Sequence, residues 1–365
     1  MQGRRNPSEG IAAFVYRSAP ARVVFGEGSL RHLARELEML RMKRPLILCT
    51  PEQAADAQAV AGSLDGAQPS VFAEAVMHVP VAVVGAAVAR ARASDADGLV
   101  ALGGGSATGL AKAMALELPL RILAIPTTYA GSEMTSIYGL TDGGEKRTGR
   151  DDRVLPATVL YDPALTLSLP APLSASSGLN AIAHCVEALY AADGNPVVSL
   201  MAEEAIGALA RGLPEVLRDP GALPGRERCL YGAWLAGMAL NVVSMALHHK
   251  LCHVLGGSLN LPHAETHAIV LPYAAAYNAP AAPAAMAAIR RALGAQDAAA
   301  GLHALGRALG VPKGLRELGV QASQLDRVAD LAASQPYPNP RPLERAAIRE
   351  LLQQAYEGDA PTPVR

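Results

Sequence analysis

The sequence predicts a chain in two parts: an α/β half with a mainly parallel sheet over residues 1–165, and an all-α half over residues 166–365. Three observations lead there. At 365 residues the chain is too long for one compact core. Between residues 21 and 165, short apolar runs alternate with helical patterns, the β-α-β order that covers a parallel sheet with helices on both faces. Beyond residue 166 strand signals vanish, leaving long alanine-rich segments punctuated by Gly and Pro. The cleft between two such halves is a common place for a site.

Taken in order, ARVVFGEG (21–28) reads as a strand and turn. SLRHLARELEMLR (29–41) carries Leu30, Leu33, Leu37 and Leu40 at helical spacing, with Ser29 as its N-cap. PLILCT (45–50) is a buried strand and PVAVVGAAVARARA (80–93) a helix. DGLVALGGGS (97–106) is a strand running into a glycine-rich turn, TGLAKAMALEL (108–118) the helix after it, and LRILAIPTT (120–128) one more strand. In the second half, CLYGAWLAGMALNVVSMAL (229–247) carries no charge and is about long enough to cross a bilayer. It contains Asn241 and Ser244 and stands alone, so it reads as one buried core helix. PNPRP (338–342) is a rigid turn before a last helix, ERAAIRELLQQAY (344–356).

Composition narrows the function. Half the residues are hydrophobic and 18% are charged, as in soluble globular proteins. A formal net charge of −1, with no basic stripe among aromatics, argues against nucleic acid and anionic membrane as partners. Cys49, Cys185, Cys229 and Cys252 are scattered without a CxxC, which points to free thiols in a reducing cytoplasm. MQGRRNPSEGIAAF at the N-terminus has no apolar core of an export signal, so a cytoplasmic location is expected.

LVALGGGSATGLAKA (99–113) is the first stretch with chemical character. Consecutive glycines after a buried strand let the backbone approach a phosphate, and the next helix offers unpaired N–H groups at the positive end of its dipole. Gly103, Gly104, Gly105 and Ser106 are therefore candidates for binding a pyrophosphate. A ligand-free turn is the plainer alternative, because neither GxGxxG nor GxxxxGK(S/T) fits. Thr127, Thr128 and Ser132, in the hydroxyl-rich IPTTYAGSE (125–133), are further nucleotide candidates, with local capping as their plainer reading. HHKLCHVLGGSLNLPHAETH (248–267) then gathers five of the nine histidines: His248, His249, His253, His263 and His267. Clustered imidazoles point to a metal, to acid/base chemistry or to an anion pocket.

GGGSATGLAK, PTTYAGSE, SGLNAIAHCVEALYA and HHKLCHVLGGSLNLPH, in that order, resemble the iron-containing (group III) alcohol dehydrogenase superfamily, with its dehydroquinate synthase-like fold. The resemblance covers nearly the whole chain. It implies a dinucleotide-binding α/β domain, an all-α catalytic domain, hydride transfer with NADH or NADPH in the cleft, and a homodimer. In the metal-dependent members an Asp and a His four residues on join two further histidines. The matching positions here are Asn180, His184, His249 and His263, so an amide stands where the carboxylate was. A neutral amide is a far poorer ligand for a divalent cation. Gly109 likewise replaces the Asp of the GGGSxxD pattern, and PHA (262–264) replaces PHG. These departures resemble the maleylacetate reductase branch, and the resemblance implies a degenerate site with no metal; zinc held by three imidazoles is the alternative.

That branch reduces the C=C bond of maleylacetate, a small dicarboxylate, to 3-oxoadipate in aromatic compound degradation. Such a reaction needs a donor for the ketone oxygen and an acid near the carbon. His253, one turn after His249, is read as the general acid, and His184, His249 and His263 as donors or orienting groups. Lys250 and His248 are candidates for gripping a carboxylate. A satisfied core histidine and a solvated lysine are the plainer readings of His253 and Lys250. Thr50 ends the strand PLILCT at the expected ribose position; Pro51 follows and Glu52 is close, which leaves NADH and NADPH both open. A metal-dependent alcohol or polyol dehydrogenase is the second reading. A non-catalytic dinucleotide-binding protein is the third, disfavoured because burying so many polar rings without a role is costly.

Overall fold

The computed structural model describes residues 14, 16, 18, 21–142 and 145–362. Its first half contains β1 (Arg22–Phe25), α1 (Leu33–Leu40), β2 (Pro45–Leu48), α2 (Ala54–Gly62), β3 (Ser70–Phe72), α3 (Val81–Ala93), β4 (Gly98–Gly103), α4 (Gly105–Glu117) and β5 (Ile122–Pro126). The hairpin β6 (Ile137–Asp142) and β7 (Glu145–Arg150) follows, then β8 (Thr158–Tyr161). Six strands form one parallel sheet in the order β1-β8-β5-β4-β2-β3. The strands PLIL, GLVALG and ILAIP are buried throughout, as strands covered on both faces must be.

The sequence reading lacked α2, β3, β8 and the hairpin. β3 is a run of only three residues, too short for periodicity to register. Ser29 does not cap α1 either. The turn before that helix is capped from afar, by Asp162, whose carboxylate accepts from the N–H of Gly28 at 3.1 Å and of Leu30 at 3.0 Å.

The second half has helices and no strand among its described residues: α5 (Ala171–Tyr190), α6 (Pro196–Arg218), α7 (Leu223–Val242), α8 (Leu247–Leu259), α9 (His263–Asn278), α10 (Pro283–Leu293), α11 (Ala298–Ala308), α12 (Leu325–Ala333) and α13 (Arg345–Glu357). Leu179, Ile182, Ile206, Leu209 and Leu230 join α5, α6 and α7 in one core. Leu251, Leu255, Ile269, Tyr273 and Ile348 join α8, α9 and α13 in another.

The charge-free stretch 229–247 is not the single helix it was expected to be. α7 ends at Val242, and α8 leaves it at 96°. The polar residues make the corner: Asn241 Oδ1 accepts from the Ser136 N–H at 2.8 Å, and Ser244 binds the Asp193 carboxylate. No single helix is long and apolar enough to cross a membrane among the described residues. The same corner joins the halves. Arg150 donates to the Asn241 carbonyl at 2.6 Å, and Gly131 and Gly237 pack so closely that a Cβ on Gly237 would lie 2.3 Å from the Gly131 oxygen.

Candidate active site

The chain leaves β2 for β3 on one side and returns to β4 on the other, so the carboxyl ends of β2 and β4 flank the point where strand order reverses. Open α/β sheets bind ligands at such points. The Gly103–Gly105 turn lies there, with Gly103 at φ +143°, which side-chain-bearing residues rarely adopt. A Cβ on Gly104 would lie 2.7 Å from Thr128 Cγ2, so the turn meets the next loop only because it lacks side chains. α4 begins at Gly105 with no side-chain cap, which leaves its first N–H groups, including that of Ser106, open to a phosphate. Thr127 braces the turn: its N–H donates to the Gly103 carbonyl at 3.1 Å and its hydroxyl accepts from Gln53 Nε2 at 3.0 Å. Thr50 precedes the short helical turn Pro51–Gln53, beside the same glycines.

The other end of the site comes from α5, α8 and α9. Asn180 and His184 lie one turn apart on α5, each 5% exposed, so Asn180 is no solvent-facing residue. His249 of α8 stacks on His184 with centroids 5.2 Å apart. His267 of α9 is fully buried, its ring 4.9 Å from that of His249 and 4.2 Å from that of His263. His253 is exposed at the edge, its ring 6.2 Å from His249. Asn180 Oδ1, His184 Nδ1, His249 Nε2 and both His267 nitrogens are buried without a protein partner. Buried polar atoms nearly always have partners, so such a concentration of bare ones marks where a bound molecule completes the bonding.

Glu187, on the same helix as Asn180 and His184, lies behind the rings and is fully buried. Its Oε2 accepts from the Ala246 N–H at 2.8 Å and contacts His249 Nδ1 at 2.7 Å, while Oε1 accepts from the His248 N–H at 2.8 Å. Burial holds the imidazoles below their usual range: His249 at about 3, with help from the nearby His253, His248 at about 4, and His184 and His267 also well below. Burial raises the Glu187 carboxyl, opposed by His248 and the backbone N–H donors. Near neutral pH these rings are therefore uncharged donors and acceptors.

Residues 20–163 match the family described as iron-containing alcohol dehydrogenase, and residues 174–356 match the C-terminal part of the same family. The chain belongs to the iron-containing alcohol dehydrogenase family. It is an NAD(P)H-dependent oxidoreductase. Among individual relatives it is similar to maleylacetate reductase of Burkholderia cepacia, 55% identical over 96% of this chain and 99% of that protein. It is 56% identical to maleylacetate reductase of Sphingobium indicum over 95% of this chain and 99% of the relative. The crystal structure of maleylacetate reductase from Agrobacterium tumefaciens superposes with a TM-score of 0.93 at 51% identity, covering 96% of this chain and 100% of that one.

Several expected site residues fall elsewhere in this member of the family. Ser132 faces Lys112, whose Nζ donates to the Ser132 carbonyl at 2.7 Å, to Thr135 Oγ1 at 2.9 Å and to the Ile137 carbonyl at 2.8 Å, and lies 3.4 Å from the Ser132 hydroxyl. His248 does not reach for a carboxylate, because its Nε2 lies 3.1 Å from the His267 carbonyl in the interior. Lys250 sets its ammonium over the Tyr337 ring, 5.9 Å from the centroid. His263 meets His267 by its ring. The donor sets brought within 4.8 Å of one another among the described residues are Glu187–His248–His249 and His248–Cys252–His267, not His184–His249–His263. At Gly109 a Cβ would lie 2.8 Å from Val79 Cγ2, so Val79 occupies the space a family Asp would need.

Two residues of consequence, Glu187 and Lys112, escaped the sequence reading, and a third, His267, is counted there in the histidine cluster without a role. Glu187 follows Asn180 and His184 at i+7 and i+3, and His267 follows His263 at i+4; both spacings put the pair on one helical face, a signal already present in the sequence. Lys112 had no such signal. Its buried ammonium, pulled down to about 7 mainly by desolvation, shows its role only once the loop 132–137 folds over it.

Proposed function

We propose that the chain reduces the C=C bond of maleylacetate to 3-oxoadipate with a hydride from NADH or NADPH, in aromatic compound degradation and without a bound metal. The observation that carries this is the ring of buried, unpartnered and uncharged polar atoms from Asn180, His184, His249 and His267, with His253 at its open edge. Hydride adds to the alkene carbon β to the ketone, the electron pair moves onto the ketone oxygen, and the resulting enolate takes a proton at the α carbon. His184 and His267, each a neutral ring with one N–H, supply hydrogen bonds as charge grows on that oxygen, while Asn180 Oδ1 and His249 Nε2 face the site as acceptors. His253 delivers the proton. The glycine turn and α4 hold the cofactor pyrophosphate, and Thr50 with Glu52 borders its ribose, an arrangement compatible with either cofactor.

For the divalent cation that the family name implies, the open donors are a weak set, which supports the metal-free reading. None of the open donors is anionic, and the buried carboxylate nearest them, Glu187, is spent on the Ala246 and His248 N–H groups and His249 Nδ1. One observation favours a second reading as a metal-dependent alcohol dehydrogenase: His249 turns Nδ1 to a carboxylate and Nε2 to the site, as metal-binding imidazoles do. The reading includes a homodimer in the cytoplasm; the four buried, unpaired cysteines suit a reducing compartment.

The deciding assay follows NADH and NADPH oxidation with fresh maleylacetate, before and after exhaustive chelation, on protein of known metal content. Turnover that survives in metal-free protein is the expected result. Activity lost on chelation and restored by Zn²⁺ or Fe²⁺, or turnover of simple alcohols alone, would move the protein to the second reading.

A further inference from the structure

We propose that Glu187 is a positioning residue for the reaction, holding the start of α8 and the His249 ring with one carboxylate so that Nε2, not Nδ1, faces the substrate. α8 starts after a 96° corner with no side chain of its own to cap it. Its first N–H groups are buried and need acceptors. Glu187 takes two of them, from Ala246 and His248, and Asn339 Oδ1 takes the third, from Leu247 at 3.4 Å. Glu187 alone of the two also reaches an imidazole. Its Oε2 is 2.7 Å from His249 Nδ1, which turns Nε2 away from it, and that atom has no protein partner. Because Glu187 shares α5 with Asn180 and His184, one side chain ties the helix carrying those two groups to the helix carrying His249 and His253. An apolar residue at 187 would spare the desolvation of a carboxyl; what it could not do is aim the ring.

Two variants separate aiming from capping. Glu187→Gln keeps the size but cannot accept at both oxygens, whereas Asn339→Ala removes a cap, together with the Asn339 bonds to Asn278 and the Arg341 carbonyl, and touches no ring. For Glu187→Gln we expect kcat with maleylacetate to fall about 10–100-fold while the dissociation constant for NADH holds within about twofold; Asn339→Ala should lower the melting temperature but leave kcat within about twofold. In ¹⁵N-histidine-labelled protein, the low-field proton of the His249–Glu187 hydrogen bond, assigned by its loss in His249→Gln, should be absent from Glu187→Gln and present in Asn339→Ala. Should Glu187→Gln fail to fold, Glu187→Asp is used instead: it keeps the charge, draws it back by one methylene, and should lower kcat at least about tenfold while losing no more melting temperature than Asn339→Ala. Equal kcat losses in Glu187→Gln and Asn339→Ala, or a low-field proton that survives Glu187→Gln, would overturn the proposal. The kinetic arm rests on the reductase reading; wild-type protein inert toward maleylacetate would sink that reading and leave the proton resonance to judge Glu187.

Discussion

The two ends of the site are made of different materials. At the Gly103–Gly105 turn the working groups are backbone N–H groups, presented by residues chosen for having no side chain. At the histidine cluster every working group is a side chain, delivered by three helices and held by a carboxylate 62 positions away in sequence from the ring it contacts. The first end depends on a local conformation and tolerates no added atoms. The second depends on long-range alignment and tolerates changes of atom only where partners remain satisfied. Substitutions should therefore act differently at the two ends, and four experiments test that difference.

The largest effect belongs to the cluster. His253→Ala should lower kcat about 10²–10⁴-fold, the contribution of a placed general acid, and leave NADH affinity nearly unchanged. Retained kcat would mean that the proton comes from elsewhere. At the turn, Gly104→Ala should weaken NADH binding at least about tenfold and cost about 1–3 kcal/mol of stability, since the new Cβ meets Thr128 Cγ2 at 2.7 Å. Thr128→Ala in the same chain should restore part of both losses; if it restores nothing, the turn is not limited by that contact. Asn180→Asp adds an anionic oxygen to the open donors and should raise Zn²⁺ affinity by about tenfold or more without raising reductase activity. Equilibrium dialysis measures the first and NADH oxidation the second, and a metal-stimulated gain in reductase rate would contradict the metal-free reading.

The smallest effect is a pH slope, and it too should separate the ends. His248 and His249 are held at about 4 and about 3 in the fold, below the ordinary 6.5 of an unfolded histidine. Between these values the unfolded chain binds more protons, so stability is present in full above pH 6.5 and declines as pH falls toward 4. Trp234 is the sole tryptophan and lies on α7 with its ring against Phe25 and Tyr161 of the sheet half, so its fluorescence follows the loss of that contact on unfolding. His248→Asn should flatten the decline seen by that probe; an unchanged slope would mean the buried rings are not its source.

The same contrast explains what could be read in advance. The strand–turn–helix at Gly98–Glu117 and the order of the sheet helices follow from local periodicity, and the glycine triplet marks its own position. The cluster was half legible. Asn180 with His184 and His249 with His253 share faces at i, i+4, and the structure brings the three helices together. Invisible in one dimension were the partners that decide which atom points where: Glu187 for His249, the His267 carbonyl for His248, Tyr337 for Lys250. The corner at residues 243–246 was hidden for a similar reason. Apolar composition continues through it, and only Asn241, Ser244 and their distant partners stop the helix.

That corner also bears on the order in which the molecule assembles. The anchors of the α8 start lie 59, 61 and 92 residues away in the chain; at the glycine turn the Thr127 N–H reaches the Gly103 carbonyl between neighbouring strands, and only the Gln53 bond to Thr127, across 74 residues, is of that length. Closing long loops carries an entropic toll that close contacts avoid, so the nucleotide turn can form while the helical half is still loose. A nascent chain would thus be competent to hold its cofactor before it can use it, and catalysis would be the last property the fold acquires.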